Sequence, residues 1–102
     1  MATEQLKITP SDDAGVTGYA IGLDTVSRAG SSATADSYAT KIDAGNVDRY
    51  TLTGLTHGVT YYVGVSAYQA FADKATFSLV EAADEYSFVA NNAVPCSIGF
   101  YA

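Results

Sequence analysis

The chain has 102 residues, which is enough for one domain and too few for a second independent core. Eleven Asp and Glu against five Lys and Arg give a formal net charge of −6, which argues against nucleic acid or an anionic membrane surface as a partner. The single cysteine, Cys96, excludes an internal disulfide and a cysteine-built metal site.

Short alternating segments bounded by turn residues predict strands along the chain. In chain order the predicted strands are residues 6–9, 17–23, 37–42, 49–53, 60–68 and 85–90. Residues 24–36 are rich in Ser, Ala, Thr and Gly and are predicted to form a long mobile loop. Helical spacing occurs only within residues 67–83, and that stretch also contains the strand-like residues 76–80, so both states stay open there.

The predicted strand at residues 17–23 has two unlike faces, because side chains alternate along a strand. One face carries large apolar side chains and the other only Gly and Ala: Tyr19, Ile21 and Leu23 on the first, Gly18, Ala20 and Gly22 on the second. A face of Gly and Ala either packs beneath something bulky or leaves a flat surface for a partner. Both alternatives stay open.

The strand count and the turn signals predict an all-β antiparallel sandwich over residues 1–92. The clearest strand, residues 60–68, carries an inward face with Tyr61 and Val63, and residues 49–53 turn Tyr50 inward. Residues 93–102 form an apolar C-terminal tail that alternates again, so an extra edge strand is predicted there.

One block of this sequence is similar to a known family. Its pattern is Tyr50-x-Leu52-x-x-Leu55, then Gly58, then Tyr61-x-Val63-x-Val65-x-Ala67. It resembles the middle of a fibronectin type III domain of the bacterial style, and the similarity extends over roughly residues 6–90. The resemblance implies a seven-stranded immunoglobulin-like sandwich of two antiparallel sheets.

The resemblance also implies structural roles for particular residues. Leu55 caps the core where the chain crosses between the sheets. Tyr61 matches the corner tyrosine, whose hydroxyl bonds to backbone near that crossing while its ring is buried. Two departures stand out, since Ile8 takes the place of the usual Trp and His57 that of the usual Pro.

The third departure is that the family's first strand is missing or short. An uncovered second strand exposes unpaired backbone groups, which proteins rarely tolerate. The tail, with Val94, Ile98 and Phe100, is predicted to fill that edge in its own chain or in a neighbouring subunit. In the alternative, residues 1–5 form a frayed stub and the tail pairs with nothing.

No combination of residues predicts catalysis, a cofactor or a bound metal. His57 is the only histidine and is read as an exposed turn residue, and Cys96 as a buried edge-strand cysteine. Asp12, Asp13 and Asp24 lack the spacing of a calcium loop and are assigned to turns. The acidic residues at positions 81, 84 and 85 are interpreted as a solvated approach to the last strand. The chain is therefore predicted not to be an enzyme.

Surface recognition is the function that remains. The connection before the last strand carries four large apolar residues, Phe71, Phe77, Leu79 and Val80. They are predicted to contact a protein partner, since exposed apolar clusters mark interfaces. The alternative is that they cap the sandwich as a lid. Tyr62 and Tyr68 lie on the outer face of the central strand, where they would extend the same surface.

We therefore expect a non-catalytic structural or assembly module that binds protein, either other copies of itself or a larger particle. A virion decoration or tail component, at a virion or extracellular surface, is one such role. The alternative is a spacer or carbohydrate-associated module excised from a secreted bacterial enzyme or adhesin. No secretory leader, nucleic-acid contact or membrane insertion is expected.

Overall fold

The computed structural model of the chain describes residues 2–10 and 15–91. The predicted tail strand in residues 93–102 and the turn with Asp12 and Asp13 lie outside the described residues. The described part of the chain contains six strands and three short 3₁₀ helices. No helix within it is long and apolar enough to cross a membrane.

The strands follow most of the predicted segments. In chain order they are β1 (Ala2–Lys7), β2 (Gly18–Asp24), β3 (Thr40–Gly45), β4 (Arg49–Leu55), β5 (Thr60–Tyr68) and β6 (Tyr86–Val89). The 3₁₀ helices are Ala35–Ser37, Lys74–Thr76 and Ala82–Asp84. β1 begins at Ala2, so residues 2–5 belong to a paired strand and do not form a frayed stub.

The strands form two antiparallel sheets. β1 pairs with β4, with Leu6 opposite Tyr50, and the second sheet has the order β3-β2-β5-β6, with Ile21 opposite Val65. The all-β antiparallel fold predicted from the alternation is therefore confirmed.

Both sheets contribute to one hydrophobic core. Ile21 of β2, Leu52 of β4 and Val63 of β5 are its largest fully buried apolar side chains, and Leu55 is also buried in it. Tyr50 is half-buried against this core. The inward faces predicted for β4 and β5 are confirmed, and of the two unlike faces predicted for β2 the one with Tyr19, Ile21 and Leu23 joins this core.

The predicted strand at residues 37–42 is displaced in the structure. A 3₁₀ helix forms first, because Thr34 and Ser37 cap it reciprocally: the Thr34 hydroxyl accepts from the Asp36 N–H at 3.2 Å, and the Thr34 N–H donates to the Ser37 hydroxyl at 3.1 Å. Such local side-chain bonds compete with strand pairing. β3 consequently starts at Thr40 and continues to Gly45, three residues beyond the predicted end of this strand at residue 42.

Candidate functional site

The outer face of the four-stranded sheet, which points away from β1 and β4, is covered by two long connections, residues 25–39 and 69–85. We call these two connections the cover. Gly22 of β2 lies opposite Gly64 of β5, and Tyr38 lies over both. A Cβ at Gly22 would be 2.5 Å from the Tyr38 ring, and one at Gly64 2.7 Å from its hydroxyl. The Gly and Ala face therefore packs beneath something bulky.

A second hydrophobic cluster lies between the cover and this face. It consists of Ala20, Ala35, Tyr68 and Phe77, with Phe71 packed against it. The rings of Tyr68 and Phe77 stack with centroids 5.9 Å apart. Offset ring pairs of this kind add stability beyond that of burial alone.

This cluster corrects the interface predicted in the connection before β6. Phe77 is 7% exposed and Val80 0%, so both pack inside the chain and are not available to a partner. Phe71 is half-buried, and Leu79 alone of the four is well exposed, at 49%. Phe77 and Val80 therefore form the lid of the alternative prediction. They have room to pack there because the face of the sheet that they cover carries only Gly, Ala and Ser in its middle.

Backbone bonds hold the two connections to each other and to β5. The Val80 N–H donates to the Ala33 carbonyl at 2.8 Å, and the Gly30 N–H to the Val80 carbonyl at 3.1 Å. Ser66, fully buried on β5, accepts from the Ala35 N–H at 2.9 Å and donates to the Ser78 carbonyl at 2.7 Å. One hydroxyl thus ties both connections to the sheet.

Glu85 is the main polar anchor of the cover. Its carboxylate accepts four hydrogen bonds, from the Ser27 and Tyr38 hydroxyls, both at 2.6 Å, and from the N–H groups of Arg28 and Ala29, both at 3.1 Å. Burial alone would raise the pKa of Glu85, but these donors outweigh it and hold the pKa below its ordinary value. The expectation of a solvated acidic approach is wrong for this residue.

Asp24 is also occupied within the chain. Its carboxylate accepts from the Arg28 guanidinium at 2.9 Å and from the N–H groups of Thr25 and Ala39 at 2.7 and 3.1 Å. Burial opposes ionisation, but these bonds lower the pKa of Asp24 overall. Within residues 2–10 and 15–91 no group of three or more His, Cys, Asp or Glu side chains is placed to hold a metal ion.

The tyrosines on the outer face of β5 differ in exposure. Tyr68 is 7% exposed and donates its hydroxyl to Asp43 at 2.5 Å. This hydrogen bond, with burial, raises the pKa of Tyr68 to about 12. Tyr62 is half-buried. Tyr68 therefore belongs to the second cluster and does not extend an accessible surface.

The crossing between the sheets contains the bond expected of a corner tyrosine. The Thr56 N–H donates to the Tyr61 hydroxyl at 2.9 Å. The Tyr61 ring is half-buried and stacks on Phe88 with centroids 5.8 Å apart. His57, one residue further on, lies in an exposed turn.

A groove of about 660 Å³ opens between β1 and the inner face of β5. Its apolar lining is formed by Leu6, Ile8, Tyr19, Val63, Val65, Ala67 and Tyr86, and its polar lining by Gln5, Lys7, Thr9, Ser78 and Asp84. At one end the Tyr86 hydroxyl donates to Glu4 at 2.8 Å and so bridges β6 to β1. The volume lies in the range of about 300–1,000 Å³ typical of binding clefts.

One wall of the groove is an unpaired strand edge. Among the described residues β1 pairs only with β4. The Ile8 N–H donates to the Asp48 carbonyl at 2.7 Å, on the β4 side. Because backbone groups alternate along an antiparallel ladder, those of Gln5, Lys7 and Thr9 point to the opposite, free edge. The apolar groove and these backbone groups lie side by side.

Sequence reasoning did not identify Glu85 or the groove. The hydroxyl donors of Glu85 lie 58 and 47 residues earlier in the chain, so no local motif marks it. The sequence pointed to the groove only indirectly, because the first strand of the resembled family is missing or short and the edge of the next strand would then be uncovered. Val94, Ile98 and Phe100, predicted to fill that edge, lie outside the described residues, as does Cys96.

Comparison of the chain with family models, curated proteins and solved structures gave no significant match.

Proposed function

We propose that the chain is a non-catalytic assembly module with a fibronectin type III-like sandwich, which binds other copies of itself by accepting an extended strand at the free edge of β1. The strand order supports this proposal. In an immunoglobulin-like sandwich the second and fifth strands share one sheet, and the third, sixth and seventh share the other. β1 with β4, and β2 with β5 and β6, fit those places. The place of a first strand, beside β1, then has no occupant among the described residues.

The observation that carries the proposal is the groove beside this edge. An added strand gains affinity from main-chain hydrogen bonds and specificity from pockets for alternate side chains. Here Gln5, Lys7 and Thr9 offer the main-chain groups, and the lining of the groove offers apolar contact. Long exposed edges are otherwise blocked by charge, proline or a covering segment. Lys7 supplies one charge, and Pro10 lies just beyond the edge.

The cover occupies the outer face of the four-stranded sheet, and we therefore assign docking to the free edge of β1. Phe77 and Val80 are buried against the outer face, so the connection before β6 offers little apolar surface besides Leu79. The groove, by contrast, lies open on the inner side of the sheet, beside main-chain groups that face the free edge of β1.

The test measures the mass of the full chain by light scattering over a range of concentrations, with two variants at one position. Lys7→Pro removes an N–H that points to the free edge and keeps the bonds to β4, whereas Lys7→Thr removes only the side-chain charge. We expect the wild type and Lys7→Thr to exceed the 10.6 kDa of one chain, and Lys7→Pro to match it. Thr9→Pro gives a second disruption, and thermal melts establish that each variant is folded.

A wild type that remains at 10.6 kDa at every concentration would overturn the proposal. Hydrogen exchange then separates two causes. Fast exchange at Gln5, Lys7 and Thr9 means that nothing occupies the edge. Slow exchange in a monomer means that the chain fills its own groove.

A further inference from the structure

We infer that the groove is a binding site for a neutral aromatic ring, which stacks on the face of the Tyr86 ring that Phe88 leaves free. In the proposed assembly this ring is a side chain of the accepted strand and anchors that strand. The anchoring role rests on the proposed function, whereas the ring site rests on the geometry of β5, β6 and the groove.

Three aromatic rings form a row on the inner face of β5 and β6. Tyr61 stacks on Phe88 with ring centroids 5.8 Å apart, and Phe88 stacks on Tyr86 with centroids 5.6 Å apart. In the ladder Phe88 lies opposite Tyr61, and Tyr86 lies opposite Val63. The lining of the groove continues from there along β5 to Ala67. Tyr86 is therefore the end of the row that adjoins the groove.

The Tyr86 ring has one open face. Phe88 packs on the other face, and the Tyr86 hydroxyl donates to Glu4 at 2.8 Å. Tyr86 is nevertheless 47% exposed, and it lines the groove. The exposed area therefore includes the face that looks into the groove. Because Phe88 and Glu4 already hold the ring, a ligand that stacks on it pays little for ordering this side chain.

The rest of the groove favours an aromatic ring over a saccharide or an ion. Its five polar lining residues are all exposed, so they lie at the mouth, whereas Leu6, Ile8 and Val65 line the interior. A saccharide would place hydroxyls against this apolar lining, where they lose hydrogen bonds to water. An ion would lose its hydration there, and Lys7 and Asp84 at the mouth carry opposite charges, so neither sign of charge is selected. A neutral ring gains both burial and offset stacking.

The ring site lies where the accepted strand would present a side chain. The bond between Tyr86 and Glu4 closes one end of the groove, so a strand beside β1 pairs next to Gln5, Lys7 and Thr9. Alternate side chains of that strand point into the groove. An aromatic residue among them would stack on Tyr86, as aromatic anchors in pockets commonly carry much of the binding energy of an interface.

The experiment titrates the full chain with indole and follows the ring signals of Tyr86 and the methyl signals of Ala67 by NMR. We expect saturable shifts of both in the wild type, and none on addition of cellobiose. Tyr86→Leu keeps an apolar side chain but removes the ring, and is expected to bind indole about 2- to 12-fold more weakly. Tyr86→Phe keeps the ring and is expected to bind more tightly than Tyr86→Leu.

Tyr62→Leu is the matched control, because Tyr62 precedes Val63 on β5 and its side chain points to the opposite face of the sheet. We expect it to bind indole as the wild type does, and thermal melts establish that each variant is folded. If Tyr86→Leu does not fold, the shifts of the wild type and the affinity of Tyr86→Phe still test the site.

The inference is overturned if indole shifts no signal of Tyr86, or if Tyr86→Leu binds indole as tightly as the wild type. It is also overturned if cellobiose shifts these signals and indole does not, because the ligand is then a saccharide. In an assembling wild type, indole is expected to lower the mean mass, since it competes with the anchor. An unchanged mass at saturating indole would refute the anchoring role.

The failure of this inference is distinguishable from that of the proposed function, which is tested by the mass of the chain without indole. A wild type that assembles, and whose groove does not bind indole, retains the proposed function and overturns only the ring site. A wild type that remains at 10.6 kDa and binds indole at Tyr86 overturns the assembly and the anchoring role, and supports the ring site.

Discussion

The close contact between Tyr38 and the paired glycines makes Gly22→Ala the most direct probe of the cover. A Cβ at Gly22 would be 2.5 Å from the Tyr38 ring and 2.6 Å from the Ala35 carbonyl oxygen, both well inside the 3.4 Å at which ordinary contact begins. The oxygen is backbone, and Ala35 is held by Ser66 at 2.9 Å. The 3₁₀ helix and the tyrosine must therefore move together.

The expected destabilisation follows from two opposing effects. Overpacking a filled site costs about 1–3 kcal/mol, whereas replacing glycine within a strand recovers about 0.5–1 kcal/mol of backbone entropy. The net loss in the free energy of unfolding is about 1–2 kcal/mol.

Urea denaturation of Gly22→Ala measures this loss as a lower midpoint at unchanged slope. Gly30→Ala is the matched control, because nothing lies within 4 Å of its Cβ position, and it is expected to be neutral or stabilising. If Gly22→Ala behaves like Gly30→Ala, the cover does not press on the sheet and the explanation of the Gly and Ala face is refuted.

Three further predictions concern the polar contacts of the cover and of the sheet beneath it. Glu85→Gln removes a carboxylate that accepts four hydrogen bonds, so the variant is expected to be about 1–3 kcal/mol less stable than the wild type at neutral pH. Because the pKa of Glu85 is lowered in the folded state, the stabilisation is present above the ordinary pKa of 4.5 and is lost as the pH falls through the folded pKa. The stability of the variant should therefore change less with acid pH than that of the wild type. Tyr68 is expected to ionise near pH 12 in an ultraviolet absorbance titration, and because its pKa is raised, its stabilising bond is lost as pH rises from 10 to that value. Ser66→Ala leaves the Ala35 N–H and the Ser78 carbonyl without their bonds to its hydroxyl, and is expected to cost about 1–3 kcal/mol in urea denaturation.

Each of these results has a contrary outcome. Equal acid profiles for Glu85→Gln and the wild type would mean that the four donors do not stabilise the charged carboxyl. A Tyr68→Phe variant that leaves the late absorbance change intact would assign it to another tyrosine. A fully stable Ser66→Ala would mean that the hydroxyl does not hold the connections.

The alternation of residues determined much of this fold without any tertiary information. The inward faces of β4 and β5, and the two unlike faces of β2, were predictable because side chains alternate in a strand and one face must be apolar to form a core. Tyr50 was placed by the same alternation, whereas the roles of Leu55 and Tyr61 were only implied by a family resemblance. The strand predicted at residues 37–42 was partly wrong for a local reason, because Thr34 and Ser37 cap a 3₁₀ helix that replaces the start of the strand.

Only the tertiary structure decided what covers the Gly and Ala face and which carboxylate holds the cover in place. Ser66 bonds to a residue 31 positions earlier, and the Glu85 carboxylate to hydroxyls 47 and 58 positions earlier. A periodic pattern tells which way a side chain points but not what meets it, since that partner is brought there by the path of the whole chain. For the same reason Phe77 and Val80, apolar and in a connection, were indistinguishable in sequence from an interface until the sheet they pack against was in place.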